Sequence, residues 1–250
     1  MQYSIVNGLR VEAKPNLRGT CICCQKSTHS ACGKLITWHW RHVNKKECDN
    51  WWESETEWHR EWKSKFPEAW REVIQYDNST NEKHIADIKT NRDVVLEFQN
   101  SPISLEELLS RERFYKKMIW VVNGLHFKEN FEFGYKLPNP KSSFPKRFRF
   151  IGWKHTIAYD RIEYPEGSKM VELLGRIEGI PIQQFVERYH TRHFTFNWKK
   201  IRQVWQQAQM PVFIDFNDGV LWRVEFKTSI CDSPVCSYYS KAEFIRHYTE

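Results

Sequence analysis

The order of elements over residues 51–125, namely helix, three strands, helix and strand, predicts an α/β fold in which a mixed sheet is covered by helices. Three observations carry this. Trp51, Trp58 and Trp62 recur at i, i+7 and i+11 and form one helical stripe. Residues 84–99 alternate in the manner of a two-stranded hairpin. Ser104, with Glu107 three residues on, signals a helix start just ahead of a buried-looking apolar run, Met118–Asn123.

Taken in order, residues 1–50 are rich in cysteine, irregular in pattern and too short for an apolar core of their own. A helix is expected from Trp51 to about Lys65, stopped by Pro67. Trp70–Tyr76 reads as a strand and Asp77–Lys83 as a polar loop. Strands at about 84–90 and 94–99 flank an Asn91-Arg92-Asp93 turn, with Val94, Leu96 and Phe98 on one face and Glu97 and Gln99 on the other. The capping box then opens a helix over Leu105–Lys117, and Gly124 closes the strand that follows it. Residues 126–150 look loop-rich. Helices are expected at Lys169–Ile177, Ile182–His190, Trp198–Gln209 and Ser240–Tyr248. Val212–Phe216 and Val220–Lys227 form a hairpin around Asn217-Asp218-Gly219. His190–Trp198 suggests only packing. The expected domains are residues 1–50, 51–125 and 126–250, the last an α+β extension.

Composition narrows the function classes. The 250 residues carry a net charge of +7, which favours a polyanionic partner. Twelve tryptophans supply large buried areas, with base stacking open to one or two of them. There is no 18-residue apolar run, so no membrane-spanning helix is expected, and the first residues lack the pattern of a signal peptide. Seven cysteines, five before residue 50 and two near the C-terminus, fit a reducing, cytoplasmic setting with a local metal site better than a disulfide scaffold.

The chemistry concentrates at 84–99. Asp87 on one strand and Glu97-Phe98-Gln99 on the next are donors suited to a hard divalent cation beside a water, with Asp87 and Glu97 as carboxylate ligands and the Phe98 carbonyl as a third. Gln99 sits where a polar side chain would orient the attacking water. The bland alternative is two exposed acids on a half-solvated hairpin. Glu55, His59 and Lys63 recur every four residues and so share a helix face, either as solvated pairs or as part of a site. Glu107 and Arg111 form a further i,i+4 pair, and the Arg111 guanidinium matches a phosphate. In the N-terminal region, Cys21-Ile-Cys-Cys24, His39-Trp-Arg-His42 and Cys48 have the makings of a four-ligand tetrahedral zinc site. Lys146, Arg147 and Arg149 lie in a basic-aromatic stretch that either tracks a nucleic-acid backbone or forms a strand with Phe148 and Phe150 inward. Cys231 and Cys236 are spaced too widely for a simple knuckle.

Several of these segments together resemble a known family. His84-Ile-Ala-Asp-Ile, Leu96-Glu-Phe-Gln-Asn-Ser-Pro-Ile-Ser, Glu107, Arg111, Tyr115 and Ile119-Trp-Val-Val are similar to the CoiA-like competence nucleases of the PD-(D/E)xK superfamily, over roughly residues 20–125. The resemblance implies a restriction-endonuclease-like core and metal-dependent cleavage of DNA. It further implies that Asp87 and Glu97 bind Mg²⁺ or Mn²⁺, and that Gln99 stands where the superfamily usually has lysine. Glutamine carries no charge, so it orients by hydrogen bonding alone. Glu-Trp-His-x-x-Trp-Lys resembles the family's helix motif, which makes His59 a candidate for touching water or phosphate and Lys63 a substitute for the missing lysine. The N-terminal layout resembles the family's cysteine module, with Cys21, Cys24, His42 and Cys48 as the chosen ligands of a structural zinc, and His39, Cys23 and Cys32 as competitors. The rival readings are a DNA-binding accessory protein on an inactive nuclease fold and a zinc-dependent protein-interaction module.

Overall fold

The computed structural model describes residues 1–44, 48–51, 53–77, 80–140, 142–143, 147–154, 157–163, 175–200 and 203–250. Lys146 and most of the helix expected at Lys169–Ile177 fall outside these residues. The architecture is mixed α/β, dominated by strands, and divides into two compact units. One comprises residues 1–121 with 208–210 and 245–250; the other comprises 122–207 with 211–244.

The first unit begins with a regular sheet where an irregular region was expected. Strands β1 (Tyr3–Val6), β2 (Leu9–Glu12), β3 (Arg18–Thr20), β4 (Ser27–Ala31) and β5 (His39–His42) pair in the order β2-β1-β3-β4-β5. The segment does have an apolar core, a small one of Met1, Ala13, Cys21, Cys23 and Trp40. Ile74 and Ile85, from strands further along the chain, pack against it. A sequence window confined to the first fifty residues contains neither isoleucine, so the core is invisible there.

Next come helix α1 (Glu57–Ser64), β6 (Arg71–Asp77), β7 (Glu82–Lys89), β8 (Val95–Gln99), α2 (Leu105–Tyr115) and β9 (Met118–Asn123). Their strand order is β9-β8-β7-β6, which buries β8 in the middle of the sheet. Helix α1 is shorter than its tryptophan stripe predicts. Thr56 caps it, its hydroxyl accepting from the His59 amide while the His59 ring accepts from the Thr56 amide. This reciprocal cap fixes the first turn and leaves Trp51 outside the helix. Trp58 and Trp62 still pack inward on Phe98, Trp62 stacking at 5.4 Å. Trp51 instead stacks on the His84 ring at 3.2 Å between centroids. Helix α2 starts where expected, with the Ser104 hydroxyl accepting from the Glu107 amide. Both faces of β8 are buried, so Glu97 and Gln99 do not lie on a half-solvated surface.

The second unit contains β10 (Phe131–Pro138), β11 (Phe148–Ile151), β12 (Ile157–Asp160), β13 (Arg176–Ile177), β14 (Ile180–Pro181), α3 (Ile182–Tyr189), β15 (His190–Trp198), α4 (Gln203–Gln206), β16 (Val212–Asp215), β17 (Val220–Glu225) and β18 (Val235–Ser240). Five of these strands pair as β10-β15-β18-β17-β16, and the chain's last helix is α5 (Lys241–Thr249). Strand β10 replaces the expected loop-rich stretch. Its alternation is interrupted at Gly134, where a Cβ would sit 2.0 Å from the Trp153 carbonyl, so only glycine permits the approach. His190–Trp198 is a full strand whose aromatics stack on the neighbouring strand and the preceding turn, Phe196 on Phe131 at 4.6 Å and Trp198 on Phe127 at 4.5 Å. That strand takes Trp198 out of the expected helix, of which Gln203–Gln206 is described. The hairpin of β16 and β17 forms as predicted, with Asn217 and Gly219 at positive φ. Among the described residues, no helix is long and apolar enough to cross a membrane.

Glu112 on α2 shows how a buried acid holds the first unit together. Its carboxylate accepts from the Trp120 indole at 3.0 Å and from the amides of Gln209 and Met210. Replacing Glu112 with Ala orphans the buried Trp120 indole and strips the partly exposed Gln209 and Met210 amides of their acceptor, and should cost about 2 kcal/mol in urea unfolding, with Gln retaining part of that.

Candidate active site and metal centre

Asp87 and Glu97 face each other across β7 and β8. The ladder pairs Ile88 with Leu96 and Lys89 with Val95, and the same register sets Asp87 opposite Glu97. At that point the side chains take over from the backbone. The Asp87 amide donates to Glu97 Oε1 at 3.2 Å, and the Phe98 amide donates to Asp87 Oδ2 at 3.0 Å. Each carboxylate thus satisfies the opposite strand. Both line a pocket of about 70 Å³, enough for several waters, together with Asp49, Glu53, Glu55, His59, Lys63, Glu72 and Arg111.

The free oxygens meet cations. Arg111 Nη1 lies 2.8 Å from Glu97 Oε2, and Lys63 Nζ lies 3.8 Å from Asp87 Oδ1. Lys63 is almost wholly buried and is also 2.8 Å from Glu55 and 3.2 Å from Glu72. Burial opposes its charge, but Glu55, Glu72 and Asp87 outweigh that and raise its pKa. Conversely, burial pushes Glu72 up, yet Lys63 and the amides of Gln2 and Tyr3 bring it down to about 2. Glu97 goes the other way. Burial and the neighbouring Asp87 push it up to about 8, against the pull of Arg111. Asp87 is also raised, by burial first, with Lys63 and His59 restraining the rise. Two crowded carboxylates that resist ionisation are a donor set a divalent cation would relieve.

The other expected site residues are placed as follows. His59 is buried, with Nε2 2.9 Å from the Phe98 carbonyl and 3.6 Å from Glu53, while Nδ1 faces Thr56. It therefore fixes the carbonyl next to Glu97. Gln99 donates to the Ser101 carbonyl at 3.0 Å, and its buried Oε1 has no hydrogen-bond partner among the described residues. Gln99 lines an adjoining pocket of about 370 Å³ that shares Trp51, Glu53 and Arg111 with the first. Arg111 also binds Glu107 and the Trp51 carbonyl. In the second unit, Arg147 pairs with Asp160, and Arg149 reaches the Ser229 carbonyl at 3.2 Å, while Phe148 and Phe150 point inward. Asp49, Glu53 and Glu72 were not anticipated as site residues. None of them belongs to a ligand pattern legible in the sequence, and their place beside Asp87 and Glu97 comes from the fold.

Near this pocket but separate from it, Cys21, Cys24, His42 and Cys48 bring their ligand atoms within 4.8 Å of one another. The knuckle turn closes through the Gln25 amide on the Cys21 carbonyl, with Gln25 at positive φ. Cys24 Sγ lies 3.2 Å from His42 Nε2, and Cys21 Sγ lies 3.7 Å from Cys48 Sγ. Cys48 and burial push the Cys21 thiol up to about 12. Three sulfurs and one imidazole gathered this closely fit a closed tetrahedral zinc site. The competitors Cys23, Cys32 and His39 are not in the group.

Residues 56–164 match the family model described as competence protein CoiA, nuclease-like domain, which supports a CoiA-like family. The matched span takes in α1 and the Asp87–Glu97 hairpin but not the cysteine cluster. No curated protein and no solved structure matches the chain.

Two measurements follow from the site. Lys63→Met removes the charge that balances three acids and should cost about 3–5 kcal/mol at pH 7. The loss should shrink toward pH 5, where the stranded carboxylates take up protons. The purified chain should carry one zinc per molecule by elemental analysis, and Cys24→Ser should lower that content.

Proposed function

We propose that this protein is a divalent-metal-dependent nuclease with a PD-(D/E)xK-like core, acting on DNA. The observation that carries the reading is the Asp87–Glu97 pair, crossed between two strands in a buried pocket within the segment matched by the nuclease-like family. Mg²⁺ usually takes one or two carboxylates and completes its shell with waters and substrate phosphate, which suits a two-acid site. Asp87 and Glu97 would hold the ion. Bound there, Mg²⁺ or Mn²⁺ supplies Lewis-acid polarisation of the phosphodiester and a more acidic water.

The chain's own groups do the rest. Lys63 provides the fixed positive charge that the Glu97-x-Gln99 motif lacks, and at 3.8 Å it favours ionised Asp87. His59 pins the Phe98 carbonyl, a further oxygen beside the pair. Arg111 holds Glu97 through one oxygen and orients it toward the pocket. Gln99 lines the adjoining pocket, where its buried Oε1 is an acceptor without a hydrogen-bond partner among the described residues. The second reading, an inactive DNA-binding protein on the same fold, is favoured by one observation. Lys63 is tied to Glu55 and Glu72, which draws its charge away from a substrate phosphate.

A cleavage assay on single- and double-stranded DNA with Mg²⁺ and with Mn²⁺ separates these readings. Asp87→Asn and Glu97→Gln should each reduce cutting to the level of the uncatalysed control while thermal unfolding stays cooperative. Full activity in either variant rules out the site. The raised Glu97 sets a pH dependence. Its folded pKa of about 8 lies above the unfolded value of 4.5, so its contribution to metal-free stability is full below 4.5 and is lost as pH rises toward 8. Metal binding requires the ionised form, so Mn²⁺ affinity by calorimetry should climb, by at most about tenfold per pH unit, and level off above pH 8.

A further inference from the structure

Cys48 belongs to the cysteine–histidine cluster, and the residues directly after it reach both acidic strands. Asp49 is buried, and its carboxylate accepts the Ile85 amide at 2.8 Å and faces His84 Nδ1 at 2.8 Å, two neighbouring residues of β7. A third hydrogen bond, from the Trp51 amide at 3.0 Å, folds the chain back on the same carboxylate. The Trp51 ring stacks on His84, and its carbonyl accepts from Arg111 Nη2 at 2.6 Å, on the same guanidinium that holds Glu97. Glu53 accepts the Ser101 amide at 2.5 Å, just past β8, and faces His59.

We propose that Asp49, Trp51 and Glu53 form a positioning strap that ties the cysteine–histidine cluster to the strands bearing Asp87 and Glu97, so that a cation in the cluster sets the alignment of the carboxylate pair. The inference rests on the functional reading above for the role of that pair, but the strap itself does not depend on catalysis. The physical basis is anchoring. Cys48, Asp49 and Trp51 lie in irregular backbone with no ladder to hold them. Their order comes from Cys48 at one end and from side-chain bonds to β7, α2 and the chain after β8 at the other. Zinc in the cluster would remove the freedom of the Cys48 end. The binding energy would then favour the one geometry in which Asp49 meets Ile85 and the Trp51 carbonyl meets Arg111. A strap that loses its anchor loosens Asp87 through β7 and Glu97 through Arg111 together.

Amide hydrogen exchange on the full chain tests this in two arms. In the first, zinc-loaded protein is compared with protein stripped by a chelator. In the second, Asp49→Asn is examined with its zinc content verified as unchanged. The amides of Ile85, Asp87 and Phe98 should exchange roughly tenfold faster in both arms, while those of Leu108 and Val121 hold their rates. Mn²⁺ affinity in Asp49→Asn should fall roughly tenfold with zinc retained. Unchanged exchange at the three amides in the Asn variant overturns the proposal. So does stripping that loosens residues 21–48 alone. Should stripping melt the whole chain, the Asn variant decides by itself. A wild-type chain that binds no Mn²⁺ sinks the carboxylate reading, whereas the exchange result judges the strap independently.

Discussion

Asp49, Glu53, Glu55, Glu72, Asp87 and Glu97 all line one small pocket in the first unit, and the positive charges of Lys63 and Arg111 are buried with them. Lys63 is the centre of that balance, within 4 Å of Glu55, Glu72 and Asp87. Arg111 plays the same part for Glu97 and Glu107. Burying one charge without a partner costs several kcal/mol, so these groups constrain one another's position tightly. The balance is incomplete at Glu97, which burial and Asp87 keep resistant to ionisation. That residual deficit of positive charge is the feature on which the proposed divalent-cation site rests.

The same pocket is built by chain segments far apart. Helix α1 brings Lys63 and His59, β7 brings Asp87, β8 brings Glu97, α2 brings Arg111, and the stretch after the cysteine cluster brings Asp49 and Glu53. Glu72 fastens the first strand as well, taking the amides of Gln2 and Tyr3. The N-terminal sheet is therefore bound into the site's electrostatics as well as packed beside it through Ile74 and Ile85. The basic residues that looked available to a polyanion are in part spent internally. Arg111 and Arg147 are paired with acids, and Arg149 reaches backbone carbonyls.

Part of the candidate site's geometry was readable from residue types. The alternation at 84–99 set Asp87 and Glu97 on facing strands, and the bonds from the Asp87 amide to Glu97 and from the Phe98 amide to Asp87 agree with that placement. The resemblance to the family's cysteine module singled out Cys21, Cys24, His42 and Cys48, whose side-chain donor atoms converge. Other features were unreadable for a physical reason. A Trp stripe does not disclose that a Thr56–His59 cap halts the helix before Trp51. Polar residues on a helix face do not disclose that Lys63 is buried, because its burial depends on Glu72 arriving from the next strand.

Local pattern by itself determined the sequence of helix, strands, helix and strand, the acidic hairpin and the cysteine knuckle. Each of these rests on periodicities of two or 3.6 residues, or on ligand spacing, that neighbouring side chains write directly. Tertiary structure alone decided which charges share a pocket, and hence that Glu97 is raised while Glu72 is depressed. Coulomb energy and desolvation depend on distances between groups remote in the chain, and only the folded backbone sets those distances.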